Sequence, residues 1–203
     1  MLTVLKIGGG VGADALRPLC ATLAELAARH RLLVVPGGAW FADAVRETDR
    51  RFALSDGAAH RMAILGMEQF GCLLRDLLPG GPAVVRPASL ALAALPESWA
   101  VTSDSIAALV AGAEGAGRLV LVKAVDGLYA RWPPEGEPIP RMTAEELAAL
   151  PPGGVDAYLP TLLARATFET WVIGPERLAE LLDTGAAAGT RIAPGRLLRL
   201  PHG

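Results

Sequence analysis

The sequence predicts an α/β fold with a mostly parallel sheet covered by helices on both faces. Two observations predict it. The first is a unit that occurs twice near the N-terminus, a short apolar run followed by a glycine turn and then a helical pattern. Leu2-Thr3-Val4-Leu5-Lys6-Ile7 runs into Gly8-Gly9-Gly10, and Leu32-Leu33-Val34-Val35 runs into Pro36-Gly37-Gly38. Branched apolar runs ended by glycines read as buried strands. Side by side in a parallel sheet, they put both turns at the carboxyl ends of the strands, where open α/β sheets bind ligands. The second observation is that strand-like and helix-like segments alternate throughout, without an internal repeat.

Each element has its own warrant. Leu16, Leu19, Cys20, Leu23, Leu26 and Ala27 recur at helical spacing, so residues 14 to 29 form an amphipathic helix. Residues 32 to 35 are the second strand, and the helix over residues 40 to 52 carries Asp43, Arg46, Glu47 and Asp49. Ser55 is a good N-cap for the next helix, which runs to about residue 72. It is apolar over much of its surface, which suits a central position or a subunit interface. Pro79-Gly80-Gly81-Pro82 breaks the chain, then residues 83 to 85 form a short strand and residues 89 to 95 a short helix. A helix through residues 106 to 110 takes Ser103 or Asp104 as its cap. Leu119-Val120-Leu121-Val122-Lys123 is the most strand-like run, and Asp126-Gly127 is a turn signal after it. Residues 131 to 140, with prolines and a glycine, make an exposed loop. Thr143-Ala144-Glu145-Glu146 is a capping box opening a short helix. Thr170-Trp171-Val172-Ile173 is a strand, and Gly174 with Pro175 at the first helical position starts one more helix.

Composition narrows the function classes. With 203 residues, 52% of them hydrophobic, the chain buries one substantial core, so residues 1–203 are expected to form a single domain. A net charge of −2 offers no basic surface for nucleic acid or an anionic membrane. No apolar run approaches the roughly 20 residues of a membrane helix, and no basic segment leads into an apolar stretch with a cleavage site, so a cytoplasmic protein is expected. Cys20 and Cys72 are too few for a disulfide framework and read as small buried thiols on helices. The chain has seventeen arginines but only two lysines, Lys6 and Lys123. Each lysine lies in or at the end of an apolar strand pattern just before a glycine-containing turn, which marks both as positions that require lysine.

Three chemistries compete for the first turn. Gly8-Gly9-Gly10-Val11-Gly12-Ala13 meets the loose dinucleotide fingerprint, but that motif also wants an acidic residue closing the second strand, where Pro36-Gly37-Gly38 stands instead. The Walker pattern fails because no lysine follows a glycine loop at the required spacing. Two tight turns and a surface lysine would be a purely structural reading. Phosphoryl transfer uses more of the chain, because it needs backbone donors and positive charge around the moving group. Two facing glycine turns supply the donors, Lys6 and Lys123 the charge, and a carboxylate such as Asp104 holds a lysine or a magnesium ion. Asp104 also reads as a helix cap and Asp126 as a turn residue.

Val4-Leu5-Lys6-Ile7-Gly8-Gly9, Val35-Pro36-Gly37-Gly38, Thr102-Ser103-Asp104-Ser105-Ile106, Lys123-Ala124-Val125-Asp126-Gly127-Leu128-Tyr129 and Gly189-Thr190-Arg191-Ile192 occur in this order across nearly the whole chain. In that order they resemble the signatures of the amino acid kinase superfamily, which includes aspartate, acetylglutamate and uridylate kinases. The resemblance implies a three-layer α/β/α sandwich. It also implies an acceptor site in the N-terminal half, about residues 1–115, and ATP with Mg2+ in the C-terminal half, about residues 116–203. It makes Lys6 and Lys123 the stabilisers of the transferring phosphoryl group and Asp104 the organiser of the lysines. Gly8, Gly9, Gly10, Gly37 and Gly38 become the phosphate cradle, and Asp126, Gly127 and Tyr129 join Lys123 on the nucleotide side. It assigns no side chain as a metal ligand.

Phe41-Ala42-Asp43-Ala44-Val45-Arg46, Leu54-Ser55-Asp56-Gly57-Ala58-Ala59-His60-Arg61-Met62-Ala63-Ile64-Leu65 and Pro175-Glu176-Arg177-Leu178 are more particular. They are similar to the small branch that phosphorylates (aminomethyl)furanmethyl phosphate to its diphosphate in methanofuran and methylofuran synthesis. Two departures stand out: Gly10 occupies a position where many members have serine, and the segment before Pro175 is short. A phosphorylated amine wants a cation for its phosphate and a carboxylate for its ammonium, which points to Arg46, Asp56, His60 and Asp156. For His60 the alternative is a histidine packed on its helix, and for Asp56 a favourable charge in a first helical turn. The expectation is an ATP-dependent kinase of a small phosphorylated metabolite, assembled as a homo-oligomer. The alternatives are a uridylate-, acetylglutamate- or isopentenyl-phosphate-kinase-like activity, or a nucleotide-binding or storage protein without turnover.

Overall fold

The structure is a computed structural model that describes residues 1–88 and 95–195. Its strands are β1 (Leu2–Ile7), β2 (Arg31–Pro36), β3 (Ala83–Val84), β4 (Arg118–Val122), β5 (Arg141–Met142), β6 (Glu169–Ile173) and β7 (Thr190–Ile192). They form one seven-stranded sheet in the order β3-β2-β1-β4-β6-β7-β5. Every pair in that order is parallel except β6 with β7, which is antiparallel. β1 lies inside the sheet between β2 and β4, with Lys6 in register with Val35 of β2 and with Leu121 of β4. The turns after β1, β2 and β4 therefore emerge side by side.

The helices are α1 (Ala13–Ala27), α2 (Ala39–Phe52), α3 (Asp56–Leu77), α4 (Ser103–Ala113), α5 (Ala144–Ala148), α6 (Leu159–Leu163) and α7 (Leu178–Thr184). Alternation along the buried strands assigns them to layers. Val4, Val35, Leu119, Leu121 and Val172 face one core, closed by Ile106 and Val110 of α4 with Leu147, Leu159 and Leu163. Leu5, Ile7, Val34, Val120 and Ile173 face the other, closed by Leu16, Leu19, Leu23 and Leu26 of α1 with Leu178 and Leu181 of α7. The result is the three-layer α/β/α sandwich, and each buried leucine or isoleucine contributes roughly 1.5–3 kcal/mol. Helix α3 serves both cores, with Ile64 and Met67 in the first and Phe70 and Leu74 in the second.

Local signals work where they are strong. The Ser55 hydroxyl accepts the Ala58 N–H at 3.3 Å, capping α3. Thr143 and Glu146 close their capping box, Thr143 N–H donating to Glu146 Oε2 at 2.7 Å and Glu146 N–H to Thr143 Oγ1 at 3.2 Å. Several expectations need correction. Helix α3 continues past residue 72 to Leu77, because Leu73, Leu74 and Leu77 extend its apolar stripe up to the Pro79-Gly80 break. Cys72 is exposed, unlike buried Cys20, and sits 3.3 Å from the Arg75 guanidinium. The cap position of α4 is Thr102, with Ser103 and Asp104 already inside the helix. Strands β5 and β7 and helix α6 are too short to show a period and are stabilised by pairing and packing instead. The short helix expected over residues 89 to 95 lies, except for Leu95, outside the described residues. Among the described residues no helix is long and apolar enough to cross a membrane.

Candidate active site

The two glycine turns interlock. The Gly37 N–H donates to the Ile7 carbonyl at 2.6 Å, tying the end of β2 to the end of β1. A Cβ on Gly37 would lie 2.8 Å from Gly8 Cα, and one on Gly9 would lie 2.6 Å from Ala39 Cα. Backbone meets backbone with no room for side chains, which lets the two turns approach this closely. A Cβ on Gly8 would meet Lys6 Nζ at 2.6 Å, so this glycine clears the path of the ammonium. Gly10 is different: a Cβ there would have an ordinary 3.6 Å contact with Ala124, so serine would fit and nothing steric requires glycine. Ala39, the first residue of α2, is held at φ 46°, a left-handed backbone that costs a non-glycine residue about 1–2 kcal/mol.

Above these turns two lysines share one carboxylate. Lys6 Nζ stands 3.0 Å from Asp104 Oδ1, and Lys123 Nζ stands 2.7 Å from Asp104 Oδ2. Asp104 is 3% exposed and Lys6 6%. Burial alone would raise the Asp104 pKa, but Lys123 and then Lys6 outweigh it and hold the carboxyl well below its usual range. Burial pushes Lys123 down to about 8, with Asp104 offsetting part of the drop and Lys6 adding to it. Two ammonium groups against one carboxylate leave a buried excess of positive charge, which an anion entering between the lysines neutralises.

A second carboxylate positions the first. Asp156 accepts hydrogen bonds from Thr102 N–H (3.0 Å) and Oγ1 (2.9 Å), Ser105 N–H (2.9 Å) and Oγ (2.6 Å), and Leu159 N–H (2.9 Å). It thereby takes over the capping of α4, whose first turn carries Asp104. The Asp156 N–H also donates to Asp104 Oδ2 at 3.3 Å.

A cavity of about 270 Å³ opens over the lysines. Lys6, Lys123, Gly8, Gly9, Gly10 and Gly38 line its charged end, together with Asp104. Ile64, Met67, Val101 and Ile106 make an apolar wall in which His60 is set, and Asp43, Arg46 and Trp99 line the cavity as well. Arg46 is paired with Asp43 at 2.6 Å and lies over the Trp99 ring at 5.3 Å. The structure thus brings together nine of the residues singled out from sequence, namely Lys6, Gly8, Gly9, Gly10, Gly38, Arg46, His60, Asp104 and Lys123. Gly37 lies behind them at the β1–β2 junction. Asp56 is exposed on the first turn of α3 and does not line the cavity, nor does the fully bonded Asp156.

Asp126, Gly127 and Tyr129 follow Lys123 and lie outside this cavity. A Cβ on Gly174 would strike Asp126 Oδ1 and come within 3.0 Å of Glu176 Oε2, so Asp126 and Glu176 converge where β4 and β6 end. Thr190 braces the adjoining turn, accepting the Leu128 N–H at 2.7 Å and donating to the Ile139 carbonyl at 2.6 Å. Among the described residues no group of three or more His, Cys, Asp or Glu side chains converges to hold a metal. Trp99, Thr102, Met67 and Ala39 were not anticipated as site residues. The first two precede α4 without any periodic signal, Met67 reads as core, and only the fold reveals the backbone of Ala39.

The family model for the amino acid kinase family matches residues 88–167. The [5-(aminomethyl)furan-3-yl]methyl phosphate kinase of Methanocaldococcus jannaschii is 27% identical over 203 residues, covering 89% of this chain and 92% of that protein. The acetylglutamate kinase of Acidothermus cellulolyticus is 44% identical over 64 residues, 32% of this chain and 22% of that longer protein. Among solved structures, the uridylate kinase of Archaeoglobus fulgidus superposes with a TM-score of 0.78 at 21% identity, over 95% of this chain and all of that one. The UMP kinase of Ureaplasma parvum does so with a TM-score of 0.68 at 16% identity, over 95% of this chain and 99% of that one.

Proposed function

We propose that this chain, similar to the amino acid kinase family over residues 88–167 and to an archaeal phosphate kinase over 89% of its length, is a phosphotransferase of that family and transfers the γ-phosphoryl group of ATP to the phosphate of a small acceptor. The acceptor we propose is [5-(aminomethyl)furan-3-yl]methyl phosphate, and the product its diphosphate. The observation that carries the reading is the lysine pair on Asp104, 3.0 and 2.7 Å away, beneath two interlocked glycine turns. The choice of acceptor is supported by the archaeal relative, whose similarity extends over 89% of this chain.

In this reading the amides around Gly8, Gly9, Gly10 and Gly38 cradle the oxygens of the transferring group, and Gly37, whose N–H is bound to the Ile7 carbonyl, ties the two turns together behind them. Lys6 and Lys123 approach it from two sides and offset the charge that spreads over those oxygens in the transition state. Asp104 keeps both ammonium groups aimed at one point and prevents their mutual repulsion from splaying them. Arg46 meets the acceptor phosphate, and the apolar wall of Ile64, Met67, Val101 and Ile106 excludes water from the reacting centre. Asp126, Gly127 and Tyr129 belong to the nucleotide side. Magnesium entering with the nucleotide would supply further charge neutralisation there, and the lysine pair of Lys6 and Lys123, which seeks an anion, would hold the phosphates of such a complex. Asp56 remains a first-turn residue of α3 in this reading, and Asp156 acts through the position of Asp104.

ADP release from ATP and magnesium, with and without the synthetic furan phosphate, tests the proposal. Acceptor-dependent release that falls by roughly 10²- to 10³-fold in Lys6→Ala is the expected result. ADP release that does not depend on the acceptor, or that survives in Lys6→Ala, would overturn it.

A further inference from the structure

Trp99 precedes α4, some fifty positions from α2, and joins two residues of that helix. Its Nε1–H donates to Asp49 Oδ2 at 2.8 Å, and the Arg46 guanidinium lies over its ring, 5.3 Å from the centroid. Arg46 and Asp49 stand three positions apart on α2 and so share one face of the helix, which lets a single indole reach both. Asp49 is itself fixed, because its Oδ1 accepts the Leu54 N–H at 3.0 Å. The chain that carries Trp99 is also anchored on α3, where Arg61 donates to Glu97 through Nε at 3.1 Å and Nη2 at 3.2 Å. Trp99 and Arg46 both line the cavity, and the indole's one polar atom is spent on Asp49.

Arg46 is the cation that the kinase reading gives to the acceptor phosphate. Its pair with Asp43 uses Nη1 alone, between two well-exposed side chains, and such a pair holds an arginine only weakly. The other guanidinium N–H groups have no hydrogen-bond partner among the described residues. A long side chain on an exposed helix face loses rotamer freedom when it closes on a ligand, which weakens binding. A ring that already holds the planar guanidinium reduces that loss.

We propose that Trp99 is a positioning residue for the acceptor: locked by Asp49, its ring holds Arg46 at the cavity so that the unpaired N–H groups of the guanidinium meet the acceptor phosphate in a preset orientation. The inference rests on the kinase reading above and deepens it for the same site. The class it favours is a phosphomonoester, whose anionic oxygens match the fork of guanidinium donors.

The test uses Trp99→Leu, which keeps apolar bulk without the ring, Trp99→Phe, which keeps a ring face, Arg46→Ala, and the double variant Arg46→Ala with Trp99→Leu. The KM and calorimetric Kd for the furan phosphate are read beside the KM for ATP, with a melting scan of each protein. Trp99→Leu should weaken the furan phosphate by roughly 3- to 30-fold and leave the KM for ATP unchanged. Trp99→Phe should restore part of the loss, and in the Arg46→Ala background Trp99→Leu should add nothing. If Trp99→Leu does not fold, Asp49→Ala, which removes the anchor of the ring, takes its place in the same cycle. Equal losses in the leucine and phenylalanine variants, a loss that adds in full to that of Arg46→Ala, or a parallel rise in the KM for ATP overturns the role of Trp99 with turnover intact. Absence of turnover by the wild type overturns the kinase reading instead.

Discussion

At the scale of the residue, Asp104 decides the character of the site. One buried carboxylate between two ammonium groups stays ionised far into acid, so the limit on its function comes from the alkaline side. Lys123, pushed down to about 8 by burial, loses its charge as pH rises through that value. In the free enzyme kcat/KM should therefore fall above about pH 8, as a pH–rate profile will show. Asp104 holds the Lys123 ammonium up, so Asp104→Asn should move the falling limb to lower pH; a limb that stays in place would refute the coupling. Stability responds with the opposite sign. Unfolded Lys123 keeps its proton up to the ordinary 10.5 while the folded residue releases it near 8, so this group's contribution to stability rises between those values.

At the scale of the element, α4 is aimed by a residue far away in sequence. Asp156 gathers two backbone N–H groups and two hydroxyls of the α4 N-terminus and adds the Leu159 N–H of α6. Asp156→Ala should cost about 3 kcal/mol or more in denaturant unfolding, because it leaves those donors buried and unpaired. It should also lower kcat with little change in KM for ATP, since Asp104 rides on the helix it releases. The C-terminus of α2 offers the opposite case. Ala53 is exposed and adopts φ 48° where a helix ends in the left-handed region. Ala53→Gly should stabilise the protein by about 0.5–1 kcal/mol, a Tm rise of a few degrees by calorimetry.

At the scale of the whole molecule, the parallel central strands collect the chemistry of distant segments at one edge of the sheet. The turn after β1, the turn after β2, Lys123 after β4 and Gly174 after β6 all stand at carboxyl ends. ATP with magnesium at 100 times its dissociation constant should raise the stability by roughly 2.7 kcal/mol, whereas NAD should give no shift. A melting scan showing the reverse would return the first glycine turn to the dinucleotide reading. Phe52 and Leu65, 73% and 59% exposed on α2 and α3, are large exposed apolar side chains.

The sequence by itself determined the strand–glycine–helix units, the parallel sheet and the candidacy of Lys6, Lys123 and Asp104. Those features are local, being apolar runs, glycines at fixed offsets and two surviving lysines in a chain of arginines. The tertiary structure alone decided which carboxylate is free and which is spent. Asp104 reads as a helix cap or a partner of the lysines and Asp156 as a candidate contact for the acceptor, yet one holds the lysines and the other is consumed by a helix N-terminus. It also decided that His60 is left without a partner and that Arg46 and Trp99 meet at the cavity. Hydrogen-bond satisfaction is a property of everything that surrounds an atom, and residues separated by some fifty positions supply those surroundings only once the sheet has brought them together.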